Sequence, residues 1–373
     1  MGIKIRQVNN RYVLNQFIRF PHLLYAGNPF WVPPLDFSER NTFSRNKNPA
    51  FEFCDAKLFL AYSNGQISGR IAGIINHMEN DKTALKHGRF GWFDFIDDKD
   101  VSRALLTEIE TWVSDNHCRI LKGPYGFNNL DKAGFLTHGY DQLGTMATIY
   151  NYPYYVDHLE ACGYRKWVGW NEFEALVPST LPDRVSKMSK LVKEKYKLRE
   201  VRFSEWKSYK QLGHKVFSLM NIAYNDLEGF IPFTPGIIDK LISNYLRFID
   251  PDYTCIVRED SGEIIGMGIS MPSFSEALQK CRGKIFPLGF LHIKRSLKQN
   301  DKADLYLIAV RPDYKNKGIT SIIFEKIIKT FIANGIRKVE TNPEMESNQQ
   351  VQNLWKGYQI RLHKKRSSYA KHL

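Results

Sequence analysis

No stretch of the 373 residues approaches the ~20 consecutive apolar residues that a bilayer-crossing helix needs. The opening MGIKIRQVNN lacks the apolar core of a secretory signal, and Arg6 stands where a myristoylation motif takes Ser or Thr. The expected location is therefore cytoplasmic, with no membrane partner. Cysteine is scarce: Cys54, Cys118, Cys162, Cys255 and Cys281 are odd in number and never spaced Cys-x-x-Cys, which argues against a disulfide framework or a structural zinc site. The histidines form no His-x-x-x-His pair, so no metal site is expected. Neither a Gly-x-Ser-x-Gly elbow nor a Gly-x-x-x-x-Gly-Lys-Ser/Thr loop occurs, which removes the usual signs of a serine hydrolase and a P-loop nucleotide site. Low-complexity tracts are absent as well, and with 43% hydrophobic residues the chain reads as globular and long enough for two domains.

Charge is plentiful and unbalanced. Lys and Arg total 53 against 39 Asp and Glu, a formal net charge of +14, which favours anionic partners: nucleic acid, a membrane surface or a phosphorylated cofactor. Charge alone does not choose among them.

Two hairpins stand out, Leu58 to Ile75 and Tyr253 to Met271, with turns at Asn64-Gly65 and Ser261-Gly262 and spaced glycines in the second strands, GRIAGI and IIGMGI. After each comes an aromatic strand, an amphipathic helix and a strand ending in proline: GWFDFI, VSRALLTEIETWVSDN and RILKGP, then LYLIAV, ITSIIFEKIIKTFIANG and RKVETNP. Ile319, Ile322, Ile323, Ile327, Ile328, Phe331 and Ile332 share one helix face, as do Val101, Leu105, Leu106, Ile109 and Trp112. Helical patterns precede the hairpins, around Arg11 to Tyr25 and Tyr209 to Phe248. The chain thus divides into residues 1–178 and 179–373, with PSTLP at the junction.

The halves differ at one loop. After Val310 the second half inserts RPDYKNKG before its helix, whereas the first half passes through acidic DDKD. Unpaired N–H groups and the dipole at a helix start bind phosphate, Gly318 admits close approach, and Lys315 and Lys317 add charge. Asp97, Asp98 and Asp100 would repel the same ligand. A solvated turn is the competing reading of the loop.

IAVRPDYKNKGITSIIFEKII resembles the coenzyme A motif of the Gcn5-related N-acetyltransferases, a strand ending in Val-x-Pro followed by Arg/Gln-x-x-Gly-x-Gly/Ala and a helix. Lys315 stands at the Arg/Gln position, Gly318 at the first glycine and Thr320 at the second small residue. The resemblance implies an α/β (α+β) fold of two tandem acyltransferase-like domains, each a mixed, mostly antiparallel sheet flanked by helices. It implies acetyl-coenzyme A or another acyl-coenzyme A as cofactor, held in the second half by Ile308, Val310, Lys315, Asn316, Lys317, Gly318, Ile319 and Thr320. Asn348 and Trp355 extend this set at the spacing of the family's next motif. Trp355 replaces a tyrosine that often protonates the departing thiolate, and an indole cannot do so; Tyr358 is the nearest substitute. Asp304 stands where some relatives carry the base, with an exposed strand-initial carboxylate as the other reading. YYVDHLEACGYRK in the first half resembles a decayed copy of the second motif, through Leu159, Gly163 and Tyr164.

The acceptor implied is an amine on a small molecule or peptide. The function expected is N-acetyl transfer, and the alternative is a non-catalytic protein of the same fold whose basic surface engages nucleic acid or an acidic partner. The basic tail RLHKKRSSYAKHL reads either as a phosphate contact or as a closing strand. The aromatic run Tyr150 to Trp170 reads as core, or else as the lining of an acceptor groove. Oligomeric state is not encoded in any of these patterns.

Overall fold

The computed structural model describes residues 2–202, 204, 209–227, 229–245 and 249–373. The first half runs β1 (Lys4–Gln7), α1 (Arg11–Leu24), α2 (Asp36–Thr42), β2 (Cys54–Ser63), β3 (Gln66–Asn76), α3 (His77–Thr83), β4 (His87–Phe95), α4 (Lys99–Asp115), β5 (Ile120–Gly123), β6 (Phe135–His138), α5 (Tyr154–Ala161) and β7 (Arg165–Leu176). The second half runs α6 (Asp183–Tyr196), β8 (Leu198–Glu200), α7 (Tyr209–Ala223), α8 (Pro235–Tyr245), β9 (Thr254–Glu259) and β10 (Ile264–Pro272). It continues with α9 (Ser275–Cys281), α10 (Gly289–Lys298), β11 (Lys302–Val310), α11 (Ile319–Ala333), β12 (Lys338–Thr341), β13 (Glu344–Met345), α12 (Gln349–Gln352) and β14 (Ile360–His372). The helical pattern anticipated to Phe248 resolves into α7 and α8, and residues 246–248 lie outside the described ones.

Both hairpins form. Asn64 and Gly65 take φ of 52° and 80°, the geometry that lets a two-residue turn follow the twist of its strands. The spaced glycines have a packing reason. A Cβ on Gly69 would come 2.7 Å from Leu105 of α4, and one on Gly268 would come 2.4 Å from Ile323 of α11. Each crossover helix lies so close on its sheet that only hydrogen fits beneath it. The apolar faces expected of α4 and α11 are the faces buried.

The strands join in one 14-stranded sheet of order β1-β2-β3-β4-β5-β14-β7-β12-β11-β10-β9-β8, with β6 and β13 as side pairings. Segment 177–182 links β7 to α6, but β14 crosses back, so division of the chain near residue 178 does not divide the sheet. β14, the last strand of the second half, sits between β5 and β7, and β7, the last of the first half, sits between β14 and β12. Each half is completed by a strand of the other. The tail is therefore a strand interior: Lys364 and Arg366 are each 1% exposed, paired with Glu340 and Glu172, and offer nothing to an external phosphate.

Candidate acyl-coenzyme A site

β11 runs parallel to β12 only from Lys302–Lys338 to Leu305–Thr341. Beyond that point the chain after β12 turns away, and β13 pairs with β7 instead. The result is a fork, and Leu305, Tyr306, Leu307 and Ile308 are half-buried although they lie mid-sheet. A bulge sits at the crotch: Ile269 faces Leu307 and Ser270 faces Leu305, so Tyr306 is an extra residue that reverses which face the following side chains take. The Tyr306 carbonyl accepts from Asn342 Nδ2 at 2.8 Å, and the Ile308 carbonyl accepts from the Tyr224 hydroxyl at 2.7 Å. Val310 ends the strand. Of the two strand residues expected to meet the cofactor, Ile308 thus already has one carbonyl lone pair engaged.

The mouth of the fork leads to α11. Residues 312–314 form a short 3-10 turn, Asn316 takes φ 62°, and Gly318 takes φ 81° as the residue before the helix. No side chain caps this helix start, which leaves Ile319 and Thr320 as its first amides. Gly318 also has a reason within the fold itself. Its Cβ would meet Val192 of α6 at 3.0 Å, so the glycine serves the left-handed backbone and the α6 contact. Lys315 is exposed and makes no ion pair among the described residues, whereas Lys317 lies 4.4 Å from the Tyr314 ring centroid. α6 adds exposed Lys187, Lys190 and Lys195. Arg311 is held bidentately by Asp313, at 2.7 and 2.9 Å.

The first half builds the same parts and closes them. β4 has its own bulge, between the pairs Arg70–Asp94 and Ala72–Gly91, and its ladder to β5 stops at Arg89–Lys122. There Tyr125 N donates to the Phe90 carbonyl at 2.8 Å, and the Tyr125 carbonyl lies 2.3 Å from where a Gly91 Cβ would be. The backbone itself fills that fork. At the start of α4 the Asp98 carboxylate accepts from Asp100 N at 2.9 Å, occupying the position a phosphate would take.

At the closed end of the second-half fork lies a cavity of about 210 Å³. Asp304, Glu340, Glu174, Lys302, Lys338, Arg361 and His363 line it, with Ser273 and Ser275 and with Gln142 to Gly144 from the first half. Asp304 is 3% exposed, not the exposed strand-initial carboxylate of the competing reading. Burial first, and then the Glu340 carboxylate, push its carboxyl up to about 7. Glu340 is buried too, but Lys364 and His363 hold it below the usual carboxylate range. The Tyr306 hydroxyl donates to Asp304 at 3.3 Å.

The remaining motif residues lie elsewhere around α11. Asn348 caps α12 through Val351 N at 3.3 Å. Trp355 is buried, its ring 5.7 Å from Phe324 of α11, and its indole N–H donates to Glu344 at 2.8 Å. Burial raises Glu344 to about 7. Tyr358 is half-buried between Phe324 and Arg184, whose guanidinium lies 5.1 Å from its ring, and burial raises its hydroxyl. Asp304 and the Lys315–Thr320 loop thus sit at opposite ends of one strand, while Trp355 and Tyr358 belong to the wall beside α11 and Asn348 to the start of α12. Glu340, Glu344, His363 and Tyr224 carry no local motif. Only the register of β11 with β12, and the passage of β14 across the sheet, bring Glu340 and His363 near Asp304.

Residues 217–358 match the model of the acetyltransferase (GNAT) family. That match lies in the second half of the chain. Similarity extends over 99% of the chain, at 26% identity, to Protein YghO of Escherichia coli, of which 95% is covered. A protein of Caulobacter vibrioides named bacterial ceramide synthase is 26% identical over 76% of the chain and 74% of its own length. Among solved structures, a tandem GNAT protein from the clavulanic acid biosynthesis pathway superposes with a TM-score of 0.56 at 11% identity, covering 100% of this chain and 98% of that one. The fold is thus a tandem GNAT fold, with the family match in the second half. Family and fold support acyl transfer as the general activity, with an acyl-coenzyme A as the ligand the family generally takes. No helix of the described residues is long and apolar enough to cross a membrane.

Proposed function

We propose that the chain transfers an acyl group from acyl-coenzyme A to an amine, with the cofactor in the fork of the second half and the pyrophosphate on the start of α11. The observation that carries this is the contrast between the halves: one fork open and leading to an uncapped helix start, the other filled by Tyr125 and capped by Asp98. Lys315 and the α6 lysines supply charge for the phosphates. The relative named a ceramide synthase supports amide formation, a ceramide being a fatty amide.

The chemistry assigns Asp304 as base. Its carboxylate takes a proton from the acceptor ammonium, the freed nitrogen lone pair attacks the thioester carbonyl, the C–S bond breaks as the thiolate takes a proton from a tyrosine hydroxyl, and the nitrogen's second proton restores that hydroxyl. Tyr358 is one donor to the thiolate. Tyr224, whose hydroxyl rests on β11 itself, is the other.

Calorimetry with acetyl-coenzyme A and with a long-chain acyl-coenzyme A tests the site. Lys315→Glu alters an exposed side chain, so its melting temperature should hold while affinity falls about tenfold, the worth of one charge-assisted contact. Absence of binding at millimolar ligand, or equal affinity in the variant, removes the proposal. Comparing kcat in Tyr358→Phe and Tyr224→Phe then separates the two proton donors.

A further inference from the structure

From Ala277 to Asn300 the chain has no Asp or Glu, yet carries Lys280, Arg282, Lys284, Lys294, Arg295 and Lys298. All six are exposed, and none makes an ion pair among the described residues. Between them the chain presents apolar side chains to solvent: Phe286 is 78% exposed, Leu288 63%, Leu291 49% and Phe290 43%. α10 explains the arrangement. Gly289, Ile293 and Leu297, at helical spacing, turn inward, and the last two join Met271, Phe274, Leu278 and Tyr306. The outer face and the turn before it are left with Phe286, Leu288, Leu291 and the cations. Core packing does not need these apolar groups, and a cluster of them on one face marks an interaction surface.

We infer that residues 282–298 form a docking surface for an anionic lipid bilayer, with the Phe286–Leu291 tip entering the headgroup layer and the surrounding cations meeting lipid phosphates. Charge complementarity selects this occupant. A second copy meeting this face with its own would set five cations against five. Nucleic acid would satisfy the cations and leave the apolar tip in water, whereas a bilayer takes both. The surface adjoins the cavity: the Ser273 carbonyl, from a cavity-lining residue, accepts from Ser296 Oγ of α10 and from Asn300 Nδ2, each at 2.7 Å. Docking would place the Asp304 end of the fork beside the bilayer. The inference departs from the expectation of no membrane partner and does not depend on the acyl-transfer reading.

The full chain is sedimented with vesicles of phosphatidylcholine, with and without phosphatidylglycerol. Binding should require phosphatidylglycerol. The pair Phe286→Ser/Leu288→Ser, which leaves net charge unchanged, should weaken it about tenfold or more, with the melting curve unaltered because both side chains are exposed. Lys284→Glu/Lys294→Glu should weaken it as well. Equal binding by the serine pair would reduce the effect to the overall charge of +14 and overturn the inference. Absence of binding to phosphatidylglycerol vesicles would overturn it too. So would gel filtration showing that the serine pair dissociates a dimer, or loss of duplex DNA binding in place of vesicle binding.

Discussion

Asp304 combines two properties that pull against each other. A carboxyl near 7 suits the base role proposed for it at neutral pH, and the same shift is a stability cost. Because its folded pKa lies above the unfolded value near 3.8, the folded state holds the proton longer. Stability contributed by this group is complete at low pH and declines as pH rises through 3.8 toward 7. Asp304→Asn should therefore raise stability at pH above 7, by ~1–3 kcal/mol after allowing for the nearby cations, while lowering turnover at least about a hundredfold. Urea melts at high and low pH, with a thiol-release assay, check both; the wild-type rate should climb with pH through about 7 and lose that limb in the variant. Gly318 gives a second case. Gly318→Ala meets both the positive φ and Val192 and should lower stability by ~1–2 kcal/mol before any cofactor is added, so a drop in the melting temperature of the unliganded protein checks it. Asp304 and Gly318 were legible because one sits on a strand and the other before a helix in an ordered pattern. Glu340 was not, since its place opposite Asp304 depends on the pairing of β11 with β12.

The crossover helices α4 and α11 follow from periodicity, and their contact with the hairpins follows from the spaced glycines. Gly268→Ala forces a methyl to 2.4 Å from Ile323, and Gly69→Ala forces one to 2.7 Å from Leu105. Each should cost ~1–3 kcal/mol, as overpacking does. Thermal melts by circular dichroism measure this, with Gly65→Ala as the comparison, where space is open but φ is 80°. The elements that the residue pattern did not reveal are those whose form depends on a neighbour. β13 is two residues paired to β7, and α10 is a helix whose inward stripe is only Gly289, Ile293 and Leu297. The start of α4 also lies earlier than its apolar periodicity indicates, at Lys99, because Asp98 caps it.

The whole molecule is held together where β7 and β14 lie side by side. Arg366 of β14 donates to Glu172 of β7, and both are essentially inaccessible to solvent, at 1% and 0%. Arg366→Met leaves the Glu172 charge without its main partner and should cost ~3–5 kcal/mol, while the double change Arg366→Met/Glu172→Leu should recover most of it; urea denaturation of the two variants decides. Deleting 360–373 should prevent folding of both halves, since β5 and β7 each lose a neighbour, although the 311–318 loop lies far upstream. Soluble expression and a melting transition of the truncated chain provide the check. Repetition of the elements, the identity of the crossover helices and the uniqueness of the 311–318 loop were all readable from residue order, because side-chain periods of 2 and 3.6 and turn residues are local properties. Exchange of the final strands, closure of the first fork by Tyr125 and the gathering of Asp304, Glu340 and His363 were not, because register between distant segments is set by packing across the sheet.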